Sequence, residues 1–171
     1  DESEQSEQSE ASEEDKIYQT SFADPLEVGY TKYTNPFIPG IADPDIVYHD
    51  GKYYCLFGAW GCLFVSTFDD LGSFTTDGAN VVLIPTEGKP WAGDIWAPEL
   101  HFVDGYWYIY FAGGTPGVNS THRMYVAKSK TSDPMGEYEE PIKLTDPTDK
   151  WAIDGTVFKY KEQLYFVWSG W

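Results

Sequence analysis

Two aspartates, Asp43 and Asp154, are the side chains whose type and setting point most directly to chemistry. Each stands at the start of a β-type run, and the two runs share one pattern. If the repeats are related by rotation about an axis, the two carboxylates converge at one end of it. Acids that share a low-dielectric pocket perturb each other's protonation, as acid/base catalysis requires. Three tryptophans follow the same logic. Trp60 lies just past the point where the strand after Asp43 returns to its starting rim. Trp171 holds the equivalent place near Asp154, and Trp96 precedes the intervening run. Indole walls beside paired acids suit the C–H face of a sugar ring, while each tryptophan taken alone is equally well read as core filler. Glu99 occupies the slot of Asp45, two residues into its strand. Both acids are read either as channel-lining groups or as bonds to a neighbouring strand.

Other chemistries find little support. His49, His101 and His122 have no metal-ligand spacing, so no dedicated metal site is expected. Gly113-Gly114-Thr115-Pro116-Gly117 lacks the lysine of a phosphate loop and reads as a turn. No Gly-x-Ser-x-Gly elbow or Cys/His pair suggests a nucleophile. Cys55 and Cys62 either pair across a hairpin or remain free thiols. Asp69-Asp70 and Glu139-Glu140 read as solvated faces.

The elements that must position these groups are short β runs. Ile46-Val47-Tyr48, Asp50-Gly51 and Tyr53-Tyr54-Cys55-Leu56-Phe57 read as strand, turn and strand. Leu100-His101-Phe102-Val103, Asp104-Gly105 and Trp107-Tyr108-Ile109-Tyr110-Phe111 repeat it. Val157-Phe158-Lys159-Tyr160, Lys161-Glu162 and Leu164-Tyr165-Phe166-Val167-Trp168 repeat it again. Laid over one another without gaps, Asp43 falls on Ala97 and Asp154, at spacings of 54 and 57 residues. A β-rich period of about 50 residues predicts an all-β propeller with four strands per blade. A β-sandwich with coincidentally similar hairpins is the alternative. The chain would hold two blades and the first hairpin of a third, too few to close a ring of ~4–8 blades. It is therefore read as part of a longer protein whose remaining residues supply the missing blades.

Of the 171 residues, 1–16 carry eight acids and one lysine within a net charge of −17. This stretch is expected to be a disordered acidic tail, with an interaction arm as the alternative. Residues 17–34 are read as a connecting segment and residues 35–171 as the incomplete propeller domain. The acidic balance argues against nucleic acid and against an anionic membrane surface. No apolar run approaches the ~20 residues needed to span a bilayer. Aromatic residues make up 18 % of the chain, a composition that suits carbohydrate sites as well as β cores. Asn119-Ser120-Thr121 is a glycosylation sequon, meaningful only in a secreted protein.

Asn35-Pro36 with Ala42-Asp43-Pro44-Asp45, then Asp94-Ile95-Trp96-Ala97-Pro98-Glu99, then Ile153-Asp154-Gly155-Thr156 resemble glycoside hydrolase family 43, in particular its α-L-arabinofuranosidases. The resemblance implies a five-bladed propeller in the complete protein. It implies inverting hydrolysis of arabinan, arabinoxylan or xylan side chains in plant cell-wall polysaccharide, and secretion. It makes Asp43 the general base and Asp154 the carboxylate that orients the general acid and raises its pKa. The acid itself, a glutamate in an Glu-Gly-Pro-like context of a later blade, does not occur here. Glu87-Gly88-Lys89-Pro90 echoes that motif in the wrong place. The chain alone is thus expected to have little or no hydrolase activity. An axial calcium ion in the complete protein is a further expectation, and no other cofactor is implied. A β-xylosidase of the same family, a non-catalytic sugar-binding propeller and a retaining enzyme with Asp43 as nucleophile are the alternatives.

Overall fold

The computed structural model describes residues 38–170. The tail and connecting segment expected over residues 1–34, the start of the domain at residue 35 and Trp171 lie outside the described residues. The described chain is all-β, with two short 3-10 turns and no α-helix.

Ten strands form three antiparallel sheets. The first runs β1 (Ala42–His49), β2 (Lys52–Ala59), β3 (Cys62–Phe68) and β4 (Asn80–Leu83), in that order. The second runs β5 (Gly93–Val103), β6 (Tyr106–Gly114), β7 (Arg123–Lys128) and β8 (Ile142–Leu144). The third has β9 (Ala152–Tyr160) and β10 (Gln163–Gly170). Consecutive four-stranded meanders joined strand to strand are propeller blades. The chain thus builds two blades and the inner hairpin of a third.

The hairpins form because alternating aromatic and aliphatic residues flank two-residue turns that accept a left-handed backbone. Asp50-Gly51 and Asp104-Gly105 both have positive φ, as a type I′ turn demands. Lys161-Glu162 adopts the same conformation, at 46° and 64°, without a glycine. The registers agree pair for pair. Ala42 faces Gly58, Trp96 faces Ala112 and Ile153 faces Ser169. Beyond a bulge, Asp45 faces Leu56, Glu99 faces Tyr110 and Thr156 faces Val167.

The main core lies between the first two blades. Leu56, Leu63, Val65 and Leu83 of the first meet Leu100, Trp107, Ile109, Phe111 and Tyr125 of the second. The other face of the second blade packs Tyr110, Ala112, Met124 and Val126 against Ala152 and Val157 of the third hairpin. Burying a side chain of this size contributes ~1.5–3 kcal/mol, so blade-on-blade contact dominates the stability of this arrangement.

The structure decides between the alternatives for the cysteines. Cys55 lies opposite Ser66 and Cys62 opposite Ala59, four residues apart along the ladder, and both thiols are free. Burial, with the nearby Asp45 carboxylate, pushes the Cys55 thiol up to about 12. The acid pairs read as solvated faces have partners. Asp69 bonds Lys52 at 3.3 Å, Asp70 caps a 3-10 turn at Gly72 N at 2.8 Å, and Glu140 pairs with Lys89 at 2.7 Å.

Candidate active site

The repeat slot that carries Asp43, Ala97 and Asp154 has one backbone conformation in all three sheets. Their φ values are 47°, 42° and 52°. A left-handed residue costs ~1–2 kcal/mol, and aspartate tolerates it better than most because its short polar side chain bonds locally. Each falls inside the bulge that interrupts pairing at the start of the inner strand. A bulge re-aims the side chain it carries, and such bulges concentrate beside active sites. The two acids are therefore presented by the same device at the same end of the first and third repeats, and both are exposed. Gly155, next to Asp154, has no room for a Cβ because Phe166 and Met124 fill the space, so β9 is drawn tight onto the second blade.

The slots are also wired to each other. Asp43 Oδ2 accepts the Ala97 N–H at 3.1 Å, from one blade to the next. Two residues on, Asp45 Oδ2 accepts the Leu100 N–H at 2.7 Å. Asp45 is thus the inter-strand bond that was one of its two sequence readings. Its carboxyl is raised, first by burial and then by Glu99, against the lowering effect of the Leu100 bond. Glu99 is occupied as well: its Oε2 lies 2.8 Å from His101 Nε2.

Trp60 is 89 % exposed and turns the β2–β3 hairpin with φ 49°, two residues past Gly58, which faces Ala42. It therefore stands at the Asp43 end of the blade. A bulky side chain in a left-handed turn position is an outlier where asparagine or glycine is usual. Its ring meets Phe64 edge-on at 5.7 Å and borders a 340 Å³ cleft lined by Pro39, Ile41, Phe57 and Phe64. Trp96 lies at the same end of the second blade, 37 % exposed, with its other face stacked on His122 at 3.8 Å. Gly170, beside Trp171, accordingly faces Ala152 at the Asp154 end.

No group of three or more His, Cys, Asp or Glu side chains among the described residues could hold a metal ion.

With this geometry in hand, likeness to known proteins becomes interpretable. The model of glycosyl hydrolases family 43 matches residues 33–171. The chain belongs to glycosyl hydrolase family 43. An extracellular exo-α-(1→5)-L-arabinofuranosidase of Streptomyces avermitilis is 30 % identical over 141 residues, which is 80 % of this chain and 29 % of the relative. A probable arabinan endo-1,5-α-L-arabinosidase C of Neosartorya fischeri is 36 % identical over 88 residues, 49 % of this chain and 26 % of its own length. The crystal structure of α-L-arabinofuranosidase from Lactobacillus brevis superimposes with a TM-score of 0.73 at 33 % identity, covering 81 % of this chain and 46 % of that one. The chain thus spans less than half the length of each of these family 43 relatives.

Sequence reasoning missed His122 as a site residue. It weighed histidines only as metal ligands. The signal was its place just before a strand, at the rim where Trp96 was expected.

Proposed function

We propose that this chain carries the base side of an inverting glycosidase that acts on arabinose-containing plant polysaccharide, arabinan or arabinoxylan. The carrying observation is the shared left-handed bulge slot that presents Asp43 and Asp154 at the same end of the first and third repeats, with the Ala97 slot of the second repeat between them. The arabinofuranosidase relatives support the substrate class. Asp43 takes a proton from the water that attacks the anomeric carbon. The Ala97 N–H steadies its carboxylate while leaving the other oxygen for that water. Asp154 lies beside the general acid, orients it and, as a like charge, keeps it protonated. That acid is a glutamate in the residues following this chain, and inversion requires ~6.5–9.5 Å between acid and base carboxyls. Trp60 and Trp96 form apolar walls for the sugar, joined by Trp171. Glu99, held by His101, borders the same channel.

The residues beyond this chain complete the ring and cover the exposed face of β10. The protein is secreted, in keeping with the extracellular Streptomyces relative. Incubation with an aryl α-L-arabinofuranoside tests the reading. The natural full-length protein should turn it over with inversion. This chain alone should be nearly inert, because loss of proton donation forfeits ~10²–10⁴ in rate. In the full-length protein Asp43→Asn should remove turnover and keep the fold. Near-normal turnover by Asp43→Asn would take the base role from Asp43.

A further inference from the structure

His122 is fully buried, yet its bonds lead to β5, whose Ala97 N–H meets Asp43, and to β9, which carries Asp154. Its two ring nitrogens each lie 2.9 Å from a backbone carbonyl oxygen, those of Asn119 and Asp94. Its ring face carries Trp96, with ring centroids 3.8 Å apart and planes 18° from parallel. Its own carbonyl accepts the Ala152 N–H at 3.3 Å, two residues before Asp154. The surrounding turn is tied to the same strands. Trp151 Nε1 donates to the Asn119 carbonyl at 3.0 Å, and Asp94 Oδ2 accepts the Gly117 N–H at 2.6 Å.

The stretch gripped by the imidazole is strained. Asp94 and Ala97 both have left-handed backbones, at φ 48° and 42°. Such conformations persist only where the surroundings over-determine them, and they collect at functional sites. Here the strain has an output. Ala97 delivers its N–H to Asp43, and Trp96 is turned to the rim. From His122, one route therefore runs through Asp94, Trp96 and Ala97 to Asp43. The other runs through Ala152 to the strand of Asp154.

We infer that His122 is a positioning residue that sets the placement of Asp43 relative to Asp154: its imidazole clamps the 94–97 stretch, while its main-chain carbonyl fixes that clamp to the start of β9. It touches neither substrate nor reacting atoms. The catalytic half of this inference rests on the roles proposed above for the two acids, whereas the clamping half stands on geometry alone. A misplacement of the order of 1 Å costs about 10²-fold in rate, so a buried clamp can govern catalysis without meeting the sugar.

Two substitutions in the natural full-length protein separate the parts. His122→Phe keeps a flat ring under Trp96 and removes both ring nitrogens. His122→Gln returns an amide donor near the Asp94 carbonyl. Amide exchange at Ala97, followed by NMR, should quicken about tenfold in His122→Phe while Ile109 and Phe111 in β6 stay protected, the mark of a local opening. kcat on the aryl arabinofuranoside should fall ~10–100-fold with a smaller change in KM. His122→Gln should recover part of both losses, which a residue that only fills space would not do. Unchanged exchange at Ala97, or faster exchange with wild-type kcat, overturns the inference. If His122→Phe fails to fold, His122→Gln is read against wild type by the same criteria. If the wild-type protein hydrolyses no arabinofuranoside, the proposed function fails, and exchange at Ala97 alone decides the clamp.

Discussion

The second blade and the third hairpin share a register and differ in almost everything that surrounds it. Phe111 and Trp168 occupy one repeat position, and so do Tyr110 and Val167. In the blade Phe111 is fully buried, while in the hairpin Trp168 is 40 % exposed. β6 is flanked by strands on both sides and covered on both faces, whereas among the described residues β10 pairs with β9 alone. The bulge slot differs too, in side chain rather than backbone: Ala97 in one, Asp154 in the other. Backbone path is thus a property of the repeat. Burial is a property of its neighbours, and chemistry of one side chain.

The largest effect should come from erasing the difference in the slot. Asp154→Ala in the full-length protein makes the third repeat resemble the second. kcat should fall about 10²-fold or more, and the alkaline limb of the pH–rate profile, where the general acid loses its proton, should move to lower pH, since the like charge that holds the acid protonated is gone. An unmoved limb would leave Asp154 without the assigned role.

Burial gives the next effect. Phe111→Ala should destabilise this chain by ~3–5 kcal/mol, measured by urea unfolding. Trp168→Ala should cost under ~1 kcal/mol here, and markedly more in the full-length protein once further blades cover it. Equal costs in this chain would break the comparison.

The turns sharpen it on a smaller scale. Lys161-Glu162 holds two positive φ angles that Asp104-Gly105 holds with better-suited residues. Lys161→Asn combined with Glu162→Gly should stabilise the third hairpin by about 1 kcal/mol, visible as slower amide exchange along β10.

The smallest effect concerns the link between the two regions. Asp149 accepts from Lys143 Nζ at 2.8 Å, Thr145 Oγ1 at 3.1 Å and Arg123 Nε at 3.1 Å, between β8 and β9. Lys143 above all, then Thr145 and Arg123, lower its carboxyl from 3.8 to about 2. A carboxyl lowered on folding contributes stability above its unfolded value and loses it as pH falls through its folded value. The contribution is therefore full above about pH 4 and fades toward pH 2. Being exposed, it is small and salt-sensitive. Asp149→Asn should flatten this part of the stability–pH curve slightly.

The inner hairpins were legible in the sequence because alternation and Asp-Gly turns are local signals. The gap-free overlay of the three hairpins puts Asp43, Ala97 and Asp154 in one slot, and the shared positive φ reflects it. The outer strands β4 and β8 were not legible. They are four and three residues long, and their identity comes from pairing with β3 and β7. Ala97 offered only its position: an alanine gives no hint of a left-handed backbone or of an N–H aimed at the next blade. His122 was invisible for a similar reason, since the carbonyls that it meets belong to Asn119 and Asp94, 3 and 28 residues away. The position of Trp60 along the blade is a local signal, because a hairpin of known turn must return to its origin.

The common bulge has a consequence for how such a ring can diversify. Since the same kink is held by aspartate in two repeats and by alanine in one, a carboxylate can be gained or lost there by a single substitution while the sheet keeps its course. The number of negative charges around the opening, and which blade owns each, can therefore drift independently of the architecture that carries them.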